Sequence, residues 1–204
     1  MATDNASSFS IRQRHKRLLL WYDNRNYTKG VIMHNQALEK LDREDLLKLI
    51  EIYCKNWLAM DGVWFQSVEH KLGMHEAMEH DINAWRNFSV IEAKRIKEFL
   101  KLPERSGIEG LKKALAYRLY ANINEDEIIA QDNVLIYRTL DCRVQNARKR
   151  KGMEFHPCKS VGIVEYNCFA KEIDDRFQCE AISCYPDITD ESCNCSWKFT
   201  LVES

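Results

Sequence analysis

INEDEIIAQDNVLIYRT, residues 123–139, is where the chain changes period. Within it, apolar runs rich in Ile, Val and Tyr flank Gln131-Asp132-Asn133, which predicts two strands joined as a hairpin. Upstream the repeat is helical. Asp42 can cap a first helix whose apolar positions are Leu46, Leu49, Ile50, Tyr53, Trp57, Met60 and Trp64, with Gly62 as a place to kink or end it. A second helix is expected from Met74 to about Leu100, with Met74, Met78, Ile82, Trp85, Ser89, Ile96 and Phe99 on its inner stripe and Pro103 beyond its end. A third runs from about Ile108 to Tyr120.

Downstream, after the short basic stretch VQNARKRKG, a helix is expected from about Ser160 to Ile173. Two more strands, RFQCEAISC and CSWKFTLV, follow, separated by the turn-rich YPDITDES. The order predicts an α+β fold: N-terminal helices packed on a small antiparallel or mixed four-stranded sheet with a crossover helix. Residues 1–35 read as a flexible polar arm, and 36–204 as one domain with a helical half (36–121) and a cysteine-rich sheet half (122–204).

Composition removes several classes. Among 204 residues, 45% are hydrophobic and 30% charged, the profile of a globular chain and not a disordered one. The net charge of −1 gives no general attraction to nucleic acid or to an anionic membrane. No apolar run approaches the roughly 20 residues that cross a bilayer. The basic cluster before Leu18–Tyr22 is followed by too short an apolar core for a secretory signal, so the expected location is cytoplasmic. The basic run ARKRKG, residues 147–152, reads as a solvated loop or as an edge for a ligand's carboxylate.

Seven of the eight cysteines fall after position 141. Four sit at element ends: Cys142 closes the second strand, Cys158 precedes the crossover helix, Cys184 closes the third strand and Cys195 opens the fourth. If the helix is a simple crossover, strands two and three run parallel and all four thiols come to one end of the sheet. Four thiolates suit tetrahedral zinc, and less readily an iron–sulfur cluster. Buried packing and a reactive thiol are the other readings. In FHPCKSVG, residues 155–162, Cys158 stands at a helix N-terminus beside Lys159, with His156 two positions earlier, the surroundings that favour a thiolate. His156 is alternatively a metal ligand or an exposed residue.

From Cys158 onward, PCKSVG, VEYNCFAKEID, FQCEAISCYPD and CNCSWKFTL resemble the C-terminal half of the 4-vinyl-reductase-type small-molecule-binding domain. From about Leu41 to Leu201, NWLAMDGVWF, DINAWRNFSVIEAKRI, RLYANINE, DCRVQNARKRKG and PCKSVGIVEY resemble an uncharacterised prokaryotic cytosolic-protein family often grouped with L-2-amino-thiazoline-4-carboxylate hydrolases. The resemblance implies a ligand-binding α+β fold and a ring-opening hydrolase.

Acids on otherwise apolar stripes, Asp61, Asp81 and Glu92, either point into a polar pocket or pair with Arg86 or Arg95. Trp85 belongs to the core or lines a ligand cavity. The pairs His75/Glu79 and Glu76/His80 read as solvated neighbours or helix-face ligands. The expected protein binds a small molecule, with Cys142, Cys158, Cys184 and Cys195 on a metal and with Asp61, Trp85, Glu92, Arg143 and Lys159 around the ligand. As a hydrolase of a small heterocyclic carboxylate, it uses the metal or Cys158 for attack on a C–N or C–S bond and Glu165 to move protons. The competing class is a sensor or adaptor with a structural metal. Neither reading requires nucleic acid or membrane, and both allow a homodimer.

Overall fold

The structure is a computed structural model and describes residues 35–203; the expected arm lies outside this range except for Asn35. Leu38–Lys40 forms one 3-10 turn. From Arg43 the chain is a separate unit with five α-helices and four strands among the described residues.

Helix α1 (Arg43–Leu72) opens with Glu44 and Asp45 and closes with His70 and Lys71, charges that complement its dipole. The helix runs on through Gly62. Gly73 ends it, at φ 88°, a conformation that costs a residue without Cβ nothing, and the chain reverses into α2 (Met74–Leu100). The expected inner stripe of α1 is corrected: Leu46, Ile50, Tyr53, Met60 and Trp64 are exposed, and Phe65 is its one buried residue. α1 turns the neighbouring face inward, so Trp57 meets Trp85 and Phe88 of α2 at 5.7 and 4.9 Å between ring centroids. The α2 stripe is as expected at Met78, Trp85 and Ser89, but Phe99 lies outside, against Tyr117. Helix α3 (Gly107–Leu115) is shorter than expected and gives way to a 3-10 turn at Leu119–Asn122.

The hairpin is present. β1 (Glu125–Gln131) pairs antiparallel with β2 (Val134–Asp141) through a turn in which Asp132 takes φ 51°. VQNARKRKG, read as a basic loop, is instead helix α4 (Arg143–Arg150). It lacks an apolar stripe and is fixed by polar anchors. Arg148 makes a bidentate pair with Glu69 of α1 at 2.9 and 2.8 Å, and Gln145 binds the backbone of residue 156. α5 (Lys159–Ile173), β3 (Phe177–Cys184) and β4 (Cys195–Leu201) follow.

The sheet order is β1-β2-β4-β3, with every neighbouring pair antiparallel. β2 and β3 therefore run the same way, with β4 inserted between them. α5 lies between this sheet and α2, with α1 on the far side of α2. Its buried face carries Val161, Tyr166, Phe169, Ala170 and Ile173, and Tyr166 stacks 4.8 Å from Trp197 of β4. Burying each such large side chain contributes about 1.5–3 kcal/mol. Gly162 brings the helix onto the sheet: a Cβ there would lie 2.5 Å from the Trp197 ring.

Candidate functional site

A cavity of about 410 Å³ opens between α1, α2, α4, α5 and the adjoining end of the sheet. Phe65, Trp85, Val161 and Trp197 supply apolar wall; Asp61, Asp81, His156, Cys158 and Glu165 supply titratable groups. Lys55, Arg143, Arg150 and Lys151 add cations to the lining.

The connection FHPCKSVG enters this cavity under tight control. The side-chain amide of Gln145 holds the backbone of His156 in both directions, accepting from its N–H at 2.9 Å and donating to its carbonyl at 2.9 Å. The same amide nitrogen lies 3.3 Å from Cys158 Sγ. His156 is buried against the ring of Phe65, at 4.7 Å between centroids. Its Nδ1 is 3.2 Å from Cys158 Sγ and its Nε2 is 3.3 Å from Asp81 Oδ2. Asp81 favours the tautomer with the proton on Nε2, which leaves Nδ1 to accept from the thiol. Cys158 occupies the N-cap position of α5, where its side chain makes no capping hydrogen bond. A thiol, an imidazole and a carboxylate thus stand in line on the cavity wall, in the order of a base-activated nucleophile.

Asp61, one turn of α1 before Phe65, also faces this line. Burial, reinforced by Asp81 and opposed by His156, pushes its carboxyl up to about 6.

Deeper in the protein, Arg118 is fully buried between two acids. Its Nε donates to Glu92 at 2.9 Å and its Nη2 to Glu165 at 2.7 Å, while the rings of Tyr120, Tyr166 and Phe169 surround the guanidinium. Burial pushes Glu165 up to about 7 against the pull of Arg118. Two of the acids on apolar stripes pair, with other partners than expected, Asp81 with His156 and Glu92 with Arg118, while Asp61 faces the cavity. Arg86 bonds Asn83. Arg118 itself had no signal of its own in the sequence, and its two acids were the only pointer to it.

Of the expected ligand-binding residues, Asp61, Trp85 and Arg143 line the cavity, and Arg143 is held by the Ile123 carbonyl at 2.9 Å. Glu92 sits behind the wall on Arg118. Lys159 is corrected: it points away from the cavity and pairs with Asp187 at 2.8 Å. His75 and Glu79 form an exposed surface pair.

The four end-placed cysteines do gather at one end of the sheet. Cys184 is the register partner of Cys195, and its interaction with Cys158, reinforced by burial and opposed by Cys195, raises its thiol well above the usual range. Contact with Cys184 and burial raise Cys195 likewise, and burial pushes Cys142 up to about 11. All eight cysteines are free. Among the described residues no group of three or more His, Cys, Asp or Glu side chains is arranged to hold a metal ion. No helix among them is long and apolar enough to cross a membrane.

Residues 39–201 match the model of a family of unknown function (DUF6125), and the chain belongs to that family. No curated protein and no solved structure matches it.

Proposed function

We propose that this member of a family of unknown function is a thiol-dependent hydrolase that opens a C–N or C–S bond in a small carboxylate-bearing heterocycle. The observation that carries the reading is the alignment Cys158–His156–Asp81 on the wall of a cavity large enough for such a molecule. His156 takes the thiol proton at Nδ1, and Asp81 stabilises the imidazolium that forms. The thiolate forms a bond to the ring's C=N carbon as the C=N electron pair moves to nitrogen, which takes the proton from His156. The nitrogen lone pair then re-forms C=N and expels the ring sulfur as a thiolate. Water, losing a proton to His156, attacks the S-bound carbon and releases the Cys158 thiol. Arg143 faces the substrate carboxylate. Glu165 lies two helical turns beyond Cys158, roughly 10 Å along α5, so it orients the far end of the ligand and does not share the reacting atom.

The test uses the full chain and L-2-amino-thiazoline-4-carboxylate, with product followed by NMR. Cys158→Ala lowers turnover by at least about 10³-fold, and His156→Asn slows both turnover and alkylation of Cys158 by iodoacetamide. Turnover that persists in Cys158→Ala overturns the reading. Binding without turnover favours the sensor.

The placement of Cys184 opposite Cys195, with Cys142, Cys158 and Cys195 all on the cavity lining, favours a second reading, in which these four thiols take up zinc or, less readily, an iron–sulfur cluster. The side chains would have to rotate to converge on an ion. Zinc or iron below about a tenth of an equivalent in protein purified without chelator removes this reading.

A further inference from the structure

The expected inner stripe of α1 is exposed, and it is broad. Relative exposure is 37% at Leu46, 46% at Ile50, 57% at Tyr53, 64% at Met60 and Val63 and 65% at Trp64. Taking about 150–250 Å² for a large side chain, these fractions leave roughly 500–800 Å² of apolar surface open. A standard interface takes about 800 Å² from each partner, and isolated monomers seldom leave so large a contiguous patch uncovered.

Three features identify the occupant. The spacing Leu46, Ile50, Tyr53, Trp57, Met60, Trp64 alternates four and three residues, which is the a/d seam of paired helices; Trp57 is half-buried on Trp85 and Phe88 of α2, and the other five are exposed. No charged residue falls on the sector carrying it: Lys48 pairs with Glu44 at 2.9 Å and Lys55 with Glu51 along other faces of α1, so two copies of the seam meet without like charges opposed. Run antiparallel against itself, the seam sets apolar on apolar toward both ends, Leu46 on Trp64 and Ile50 on Met60. That is the self-complementarity a two-fold interface requires. In the first 34 residues the longest apolar runs are short and separated, Leu18–Tyr22 and Val31–Met33, without the four-three spacing of the seam.

We infer that α1 is the dimer interface of this protein, with a second copy packed antiparallel along Leu46–Trp64. Val63 belongs both to this face and to the cavity lining, so the partner helix lies along the outer wall of the site. The inference is independent of whether Cys158 reacts.

Sedimentation equilibrium of the full chain from about 1 to 100 µM, a range suited to helix-mediated association, gives twice the 24.1 kDa monomer mass at the upper end. Ile50→Glu/Met60→Glu raises the dissociation constant at least 100-fold with an unchanged far-ultraviolet circular dichroism spectrum. A photo-crosslinking residue at position 60 of the otherwise unaltered chain joins two chains near Ile50, and this holds the inference to account should the double variant misfold. A monomer at every concentration overturns it. So does a crosslink near position 60 of the other chain, which reports a parallel pair, or a crosslink to residues 1–34.

Discussion

Seven of the fifteen residues of α5 are buried, against one of the thirty in α1, although both helices carry an apolar repeat. The difference lies in their neighbours. α5 is enclosed by α2 and the sheet, and Gly162 removes the last obstacle to close approach. α1 meets α2, the 3-10 turn after α3 and, through Glu69, Arg148 of α4, while much of its surface stays exposed. Periodicity therefore establishes that a helix has an apolar face, whereas burial depends on what the rest of the fold brings to it. Among the described residues no element covers the outer face of α1.

Substitutions can test the contrast directly. The largest effect belongs to α5: Phe169→Ala, at a position with no exposure, costs about 3–5 kcal/mol in urea unfolding. A loss under about 1 kcal/mol would mean that α5 is not the packed centre.

Next comes the inner edge of α1, read through pH. Asp61 is raised to about 6 in the folded chain, above its unfolded value near 3.8, so the folded state holds the proton more tightly. Stability is therefore fully present below about pH 4 and is lost as pH rises through 6. Glu165, raised to about 7, extends the loss toward neutrality. Asp61→Asn removes the first part of the decline and stabilises the protein at pH 7.5 by up to about 2–3 kcal/mol. An unchanged pH profile would show that Asp61 is solvated.

The smallest effect belongs to the outer face. Trp64→Ala changes the stability of dilute, monomeric protein by less than about 0.5 kcal/mol, and the comparison with Phe169 collapses if it costs as much.

The same contrast explains what could be read without the structure. The hairpin, the crossover and the gathering of four cysteines at one sheet end were legible, because alternation, turn residues and connection handedness are local or topological properties. α4 was not, since its stability comes from Glu69 and residue 156 and not from an apolar stripe. FHPCKSVG announced a cysteine at a helix N-terminus with a histidine beside it. The carboxylate that completes the line, Asp81, lies on α2, and nothing in a single sequence ties it to position 156. Arg118 was hidden for the same reason: a buried arginine is recognised by its partners, and both of them, Glu92 and Glu165, sit on other helices.

The placement of β4 also governs the order in which the protein can be made. β4 lies inside the sheet beside β2, yet Cys195 follows Asp141 by 54 positions. During synthesis the first hairpin emerges with one edge unpaired and keeps it so until α4, α5 and β3 have been translated. Cys195 and Trp197 of the cavity wall arrive last, so the nascent chain has no closed pocket, and no assembled chemistry, until the final strand slots into the middle.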